Sequence, residues 1–330
     1  MFDPKTLEFL EGKNPGTQSI YRAGLLKFQE FYLATYQGSI PDFIDKLYAD
    51  RDKGWRENEH IASKTIAKFV GWLRPTEETQ TPEEVKKSKK FKKKTVRVYV
   101  SAIQQLSKYN GVPFSTNDSK LPASNPELKK YSWTVEEAVR FFNLFDSQMY
   151  RSMGVLIFQS FIDCSTTLAL KYRDIQREYE SGIVPLCLDT ERVKSDIPFM
   201  SFIGKWGLKE LHKWLDSRDD LVPDAPLFPT SKVPTCDYFR KKAELFLGVK
   251  FEDNERSPCG THSLRAGGST LSRDSIVGSG EHARAVDRYI DFFMGKTVEE
   301  EKRVYVSKSR EDWRKTWRTC CEPYVTPEKF

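Results

Sequence analysis

The sequence predicts a mainly helical protein of two domains, with one small β-hairpin in the second domain. Apolar residues recur at helical spacing along most of the 330 residues. Two β-rich pieces around a polar turn make up residues 182–202 and indicate the hairpin. Residues 112–131 are rich in Pro, Ser and Asn and interrupt the helical pattern. The fold class is therefore mainly α with a small β-hairpin, divided by a linker.

The first domain, residues 1–115, is predicted to be entirely helical, and residues 116–131 form the linker. Further helices are expected near 41–52, at 62–74 ahead of Pro75, and at 95–111, which ends on a glycine placed like a C-cap. The first of the helices covers 17–36, where one apolar stripe contains Ile20, Leu25, Phe28, Phe31 and Tyr32.

The second domain, residues 132–330, begins with the capping-box pattern of Thr134 and Glu137. Residues 149–175 have the pattern of two packed helices, and the hairpin follows them. The remaining helices are expected at 206–216, 235–247, 281–294 and 298–319, with the stretch 259–273 among them. This order of elements predicts an α+β domain with a small sheet.

The composition excludes several classes of protein. No apolar run reaches the length of a transmembrane helix, and the polar N-terminus has no signal-peptide core, so no membrane partner is expected. The six cysteines are scattered and form no C-x-x-C pair. We therefore expect no metal site, no cofactor, no disulfide framework and a reducing, intracellular location. The formal net charge is +6, and the positive charge is clustered.

A dense basic block lies between the third and fourth helices of the first domain, where residues 76–94 have no hydrophobic period. Three interpretations remain open: a solvated run of charge, contact with a phosphate backbone, and nuclear import. The basic block consists of Lys86, Lys87, Lys89, Lys90, Lys92, Lys93, Lys94 and Arg97.

The stretch 259–273 contains His262 and Arg265, which lie three residues apart and so on one face of a helix. An arginine fork can bind two phosphate oxygens, and a histidine can donate to a third. Thr261 or Ser263 could cap the helix, and the small residues that follow allow close approach. The alternative is a surface histidine and a salt-bridged arginine without a ligand.

The order of these parts resembles the tyrosine recombinase family. The residues that carry the resemblance are LALKYRDI at 168–175, GTHSLRAGG at 260–268, and a late GKTVEEEKRVY at 295–305. The second motif is similar to that of the eukaryotic Crypton and DIRS-type elements. The resemblance implies a core-binding domain and a catalytic domain that clamp duplex DNA. It also implies a tyrosine that attacks a phosphodiester and leaves a 3′-phosphotyrosine.

By the resemblance, His262 and Arg265 match the family's H-x-x-R motif. Lys296 takes the place of a second histidine, and Tyr305, nine residues later, becomes the candidate nucleophile. Lys194 in the hairpin stands for the family lysine that protonates the leaving oxygen. Two alternatives remain: Tyr305 as an aromatic anchor for a terminal helix, and Lys194 as a solvated hairpin lysine.

The family's first arginine is missing. Residues Asp163 to Thr166 occupy its region, and no arginine occurs between Arg151 and Arg173. Phosphoryl transfer depends on fixed positive charge around the phosphate, and an aspartate there would repel it. We therefore expect weakened or lost cleavage, with re-aiming of Arg173 as a poor substitute.

The leading hypothesis is a nuclear protein that binds double-stranded DNA on a tyrosine-recombinase fold, as a homo-oligomer if several copies meet on the DNA. One alternative is an active site-specific recombinase or transposase that uses Tyr305. Another is a helical scaffold for an acidic protein partner. Trp313 and Trp317 lie four apart on one face of the terminal helix, which either contacts another subunit or packs on its own domain.

Overall fold

A computed structural model of the chain describes residues 2–52, 55–74, 91–115, 131–193, 197–251, 257–274, 281–296 and 309–328, with only the backbone for 55–60, 197 and 281–284. The chain divides into two compact units, Met1–Glu127 and Leu128–Phe330. This division falls inside the predicted linker. The described elements are helices and one two-stranded antiparallel sheet, which confirms the predicted fold class.

Unit 1 contains five helices in its described part, one more than the sequence predicts. The additional helix is α1, which is eight residues long. It starts where the Asp3 carboxylate accepts from the Thr6 amide at 3.0 Å and Pro4 supplies a preset φ. The last helix of the unit, α5 (Lys93–Tyr109), is followed by Gly111 at φ +74°, the conformation expected of a glycine that ends a helix. The five are α1 (Pro4–Glu11), α2 (Pro15–Tyr36), α3 (Ile40–Arg51), α4 (Trp55–Leu73) and α5 (Lys93–Tyr109).

The core of unit 1 is an aromatic cluster centred on Phe28. Its ring meets Phe43 at 5.0 Å and Phe69 at 5.2 Å, both edge to face. The predicted α2 stripe is wrong at Ile20, which is half exposed. Tyr21 continues the stripe instead and stacks on Phe9, because it lies four residues before Leu25 on the same face.

Unit 2 begins with the predicted capping box: Thr134 and Glu137 bond each other's backbone amides. The second of the two helices predicted in 149–175 is shorter than expected. This helix, α8, covers only Cys164–Ala169, and a 3₁₀ turn, Tyr172–Asp174, follows it. The elements are α6 (Val135–Asn143), α7 (Gln148–Ser160), α8 (Cys164–Ala169), α9 (Gln176–Glu180), β1 (Leu186–Arg192), β2 (Ile197–Ile203), α10 (Lys205–Leu215), α11 (Lys232–Leu247), α12 (Thr261–Asp274), α13 (Glu281–Phe293) and α14 (Arg310–Cys320).

The predicted hairpin is confirmed, with a register that runs from Leu186 opposite Ile203 to Arg192 opposite Ile197. The first three residues of β1 are buried, and its last residues alternate between exposed and partly exposed. The base of the hairpin therefore belongs to the core, and Arg192 stands at the far end of the strand.

Helix α7 is the centre of unit 2, and its residues from Ser152 to Ser160 are all buried. Helix α12 crosses it closely, because a Cβ on Gly268 would lie only 2.0 Å from the carbonyl oxygen of Phe158. A Cβ on Gly267 would lie 2.3 Å from the ring of Trp133. The close approach predicted for these small residues is therefore present, and it fixes α12 against the core.

The terminal helix α14 packs on its own unit. Trp313 and Trp317 are both fully buried, and Trp313 stacks on Phe292 with ring centroids 4.2 Å apart. Trp317 lies near Phe202 of the hairpin at 6.3 Å. The tryptophan face of α14 is thus occupied within the chain, as in the second of the two predicted alternatives.

Within the described ranges, no helix combines the length and the apolar character needed to cross a membrane.

Candidate functional site

Helix α12 carries the H-x-x-R motif near its start. The helix begins at Thr261, so Ser263 lies inside its first turn, and the Ser263 hydroxyl accepts from the indole N–H of Trp133 at 2.9 Å. The predicted capping role of Thr261 or Ser263 is therefore wrong. His262 is exposed, whereas Arg265, one turn later, is buried. The two motif residues lie one turn apart at different depths.

Arg265 connects three parts of unit 2. Its Nε donates to the carbonyl of Phe161 at 2.5 Å, and its Nη2 donates to the carbonyl of Met294 at 2.6 Å. Its Nη1 faces the Asp163 carboxylate at 4.0 Å. Burial lowers the pKa of Arg265, Asp163 opposes that shift and Arg192 adds to it. The guanidinium therefore braces the end of α7 and the end of α13.

Asp163 is the residue that brings the charges together. One of its oxygens, Oδ1, caps α8 by accepting from the amides of Ser165 at 3.0 Å and Thr166 at 3.2 Å. The other, Oδ2, lies 3.7 Å from Arg192 Nε and 4.0 Å from Arg265 Nη1. Asp163 is thus held by the start of α8 and faces two arginines.

Arg192 is a residue of this site that was not predicted from the sequence. It stands at the end of β1, and its Nη1 also donates to the carbonyl of Gly295 at 3.3 Å. A signal was present: Arg192 precedes the candidate Lys194 by two residues, and residues two apart on a strand share a face. If Lys194 is a candidate for phosphate contact, Arg192 is therefore a candidate as well.

Residues 163–166 contain no arginine, as the sequence shows, but cations from elsewhere in the chain lie beside them. Two arginines and one aspartate meet there, which leaves a net charge of +1 (2 − 1). The cations come from β1 and α12, which are distant in sequence. Arg173 is not part of this cluster, because it is half exposed and pairs with Asp224 at 2.7 Å.

Lys296 lies at the turn that follows α13. Its ammonium group bonds Asp291 Oδ1 at 2.7 Å, and Arg273 donates to the same oxygen. The neighbouring Gly295 has φ +61°, and a Cβ there would lie 2.8 Å from the Phe199 ring. This turn supplies the carbonyls that accept from Arg265 and Arg192, so Lys296 lies next to the arginine cluster in the chain but bonds an aspartate.

The other predicted site residues divide into two groups. Lys194, Tyr305, Lys86, Lys87, Lys89 and Lys90 lie outside the described residues. Lys92, Lys93, Lys94 and Arg97 are described, at the start of α5 in unit 1. Lys92 and Lys94 are exposed, Lys93 is half-buried, and Lys92 occupies the N-cap position without a side-chain cap. In the part of the chain that the structure describes, no group of His, Cys, Asp and Glu could hold a metal ion.

Neither a protein-family model nor a curated protein matches the sequence. Solved structures that resemble the chain include recombinases and integrases. XerH recombinase in a pre-cleavage complex with its difH substrate is 15% identical, over 91% of this chain and 78% of that one, with a TM-score of 0.48. Lambda integrase (residues 75–356) bound to DNA is 15% identical, over 89% and 96%, with a TM-score of 0.46. XerA recombinase is 14% identical, over 91% and 98%, with a TM-score of 0.38.

Proposed function

We propose that the protein binds duplex DNA through contacts to the phosphate backbone. The observation that carries this proposal is the placement of Lys92, Lys93 and Lys94 at the first turn of α5, where no acidic residue occurs. The N-terminal end of a helix carries partial positive charge, so lysines there reduce the stability of the helix. The same lysines attract a polyanion, because the free amides of a helix N-terminus and the lysine side chains both bind phosphate favourably.

The second unit supports the same proposal. Arg265 of its H-x-x-R motif is part of a cluster with net positive charge, and the motif resembles that of tyrosine recombinases, which act on duplex DNA. The other four lysines of the basic block, Lys86, Lys87, Lys89 and Lys90, precede α5 in the sequence and add positive charge ahead of it.

DNA affinity as a function of salt tests this proposal. Fluorescence anisotropy with a labelled duplex should show affinity that falls steeply with rising salt, since lysine contacts release counterions. The triple variant Lys92→Gln, Lys93→Gln, Lys94→Gln should reduce the slope of log affinity against log salt by about three. A matched control replaces three other lysines of unit 1, Lys5, Lys64 and Lys108, and should change the slope less. A wild-type protein that binds no duplex at low salt contradicts the proposal.

We propose further that strand cleavage is weakened or lost. The family's first arginine is absent from 163–166, and two nitrogens of Arg265 donate to backbone carbonyls. Lys296 is paired with Asp291. Fewer cations are therefore available to a pentavalent phosphate than the family's chemistry uses.

The alternative is an active recombinase, which the position of Tyr305, nine residues after Lys296, favours. Incubation with a nicked suicide duplex separates the two. We expect no covalent protein–DNA adduct and unchanged DNA affinity for Tyr305→Phe. An adduct formed by the wild-type protein and abolished by Tyr305→Phe would make the chain an enzyme. Binding of an acidic protein without any DNA binding would instead support the scaffold alternative.

A nuclear location and assembly on DNA are part of the same proposal. A fluorescent fusion should enter the nucleus, and the lysine-to-glutamine variants of the basic block should reduce its entry. Analytical ultracentrifugation with and without a duplex should show a larger assembly on DNA than in its absence.

A further inference from the structure

We propose that Arg192, at the end of β1, is the residue of the arginine cluster (Asp163, Arg192 and Arg265) that binds a backbone phosphate of DNA. This inference rests on the proposed function and names one contact of it. The H-x-x-R motif contains Arg265 and not Arg192. The burial and the hydrogen bonds of the two arginines nevertheless indicate that Arg192 is the one that binds phosphate.

Arg265 has little capacity left for a ligand. Its side chain is 7% exposed, Nε and Nη2 donate to Phe161 and Met294, and Nη1 faces Asp163. A phosphate would have to compete with those backbone carbonyls and enter the core to reach it. Arg265 therefore serves mainly as a brace.

Arg192 has the capacity that Arg265 lacks. Its side chain is 24% exposed, so part of it reaches solvent. Its Nε is buried and has no hydrogen-bond partner, and the nearest carboxylate oxygen, on Asp163, is 3.7 Å away. Nη1 makes one long hydrogen bond, to Gly295 at 3.3 Å, and no described residue accepts from Nη2. Among the described residues, Nη2 therefore has no acceptor and Nη1 has only the long bond to Gly295, so both can bind an added acceptor.

The acidic neighbour does not prevent anion binding here. Asp163 is 13% exposed, one of its oxygens caps α8, and the other lies between the two guanidinium groups. Both oxygens of Asp163 are therefore already near positive groups or backbone amides. The net charge of +1 leaves the cluster attractive to an anion.

The geometry of the guanidinium suits a phosphate in particular. Its planar fork can give two parallel hydrogen bonds to two phosphate oxygens, which a lysine cannot do. The nearby Asp163 carboxylate and the bond to the Gly295 carbonyl restrict the guanidinium group, so less side-chain freedom is lost on binding.

The experiment compares Arg192→Gln, Arg192→Lys and a control, Arg173→Gln, for affinity to one labelled duplex over a range of salt. Arg173 lies in the same unit and carries the same charge, but it is half exposed and paired with Asp224. Arg192→Gln should weaken binding roughly five- to tenfold and lower the salt slope by about one. Arg192→Lys should keep the slope and lose part of the affinity, since the charge remains and the fork is lost. Arg173→Gln should leave both unchanged.

Thermal unfolding of each variant separates a lost contact from a lost fold. If Arg192→Gln unfolds, the DNA affinity of Arg192→Lys tests the contact instead. If Arg192 does not contact DNA, Arg192→Lys should have the same affinity as wild type. Wild-type affinity and slope in folded Arg192→Gln would overturn this inference and leave DNA binding intact. A wild-type protein that binds no duplex would overturn both.

Discussion

Arg265 donates from Nε to the backbone carbonyl of Phe161 at 2.5 Å, across 104 residues of sequence. Phe161 has φ +60°, a left-handed conformation that few non-glycine residues adopt, and it links α7 to α8. The arginine of the H-x-x-R motif therefore stabilises an unusual turn. This relationship changes how a substitution of Arg265 should be interpreted.

Arg265→Ala should destabilise unit 2 by about 3–5 kcal/mol, because it removes two charge-assisted hydrogen bonds and leaves the buried carbonyls of Phe161 and Met294 without that partner. Urea unfolding followed by circular dichroism measures the change. The control Arg173→Ala should fall within about 0.5 kcal/mol of wild type. If Arg265→Ala is as stable as wild type, the structural role of Arg265 is refuted. A loss of DNA binding by that variant would then indicate that Arg265 contacts DNA directly.

The lysines at the start of α5 should reduce stability while they increase DNA affinity. The triple variant Lys92→Gln, Lys93→Gln, Lys94→Gln should raise the free energy of unfolding by about 0.3–1 kcal/mol at low salt, because positive charge opposes the helix dipole there. The control here is the double variant Lys64→Gln, Lys108→Gln, since Lys5 itself lies in the first turn of α1. It should give no such gain, because Lys108 lies in the favourable last turn of α5. Destabilisation by the first triple would show that these lysines serve the fold.

An arginine placed where the family's first arginine is expected should not restore cleavage. Asp163→Arg removes the cap of α8 and puts a third cation beside Arg192 and Arg265, so we expect a loss of about 3 kcal/mol or more. Thr166 is fully buried, and an arginine there would be unpaired in the core. The control is Ala169→Arg, on the exposed end of the same helix. If the Asp163→Arg variant is stable and cleaves DNA, the structural role that we assign to Asp163 is refuted.

The terminal helix α14 should be required for folding of unit 2. Trp317→Ala should cost about 3–5 kcal/mol, because the ring is fully buried. Thr319→Ala, at an exposed position of the same helix, should be nearly neutral. Deletion of 310–330 should leave unit 2 unfolded by near-ultraviolet circular dichroism. A truncated protein that keeps its fold would favour the intersubunit role for this segment.

Acid should weaken unit 2 partly through Glu210, which is nearly buried. Burial raises the pKa of Glu210, but bonds from Lys213 and Gln148 and the charge of Arg151 outweigh it, so the pKa is lowered. A lowered folded pKa stabilises the protein above the unfolded value near 4.5, and this stability is lost as pH falls through the folded pKa. Glu210→Gln should therefore lose stability at neutral pH and flatten its acid dependence. An unchanged acid limb of the stability curve would contradict this.

The sequence by itself determined the elements whose hydrogen bonds and periodicity are local. The capping box of Thr134 and Glu137 and the hairpin at 186–203 occur as predicted. Each depends on residues a few positions apart, so the pattern that encodes it is readable along the chain. The error at Ile20 shows where local pattern is insufficient. Ile20 and Tyr21 are adjacent apolar residues on different faces of α2, and only tertiary packing determines which of them contacts the core.

Tertiary structure alone decided the chemistry of the site. Asp163, Arg192, Arg265 and the Gly295 carbonyl come from four separate elements, and no spacing in the sequence relates them. Whether an aspartate repels a phosphate or positions a cation depends on which charges lie within about 4 Å of it, since Coulomb energy falls with distance. The same motif arginine became a brace because α7 and α13 pack around it and present carbonyls to it.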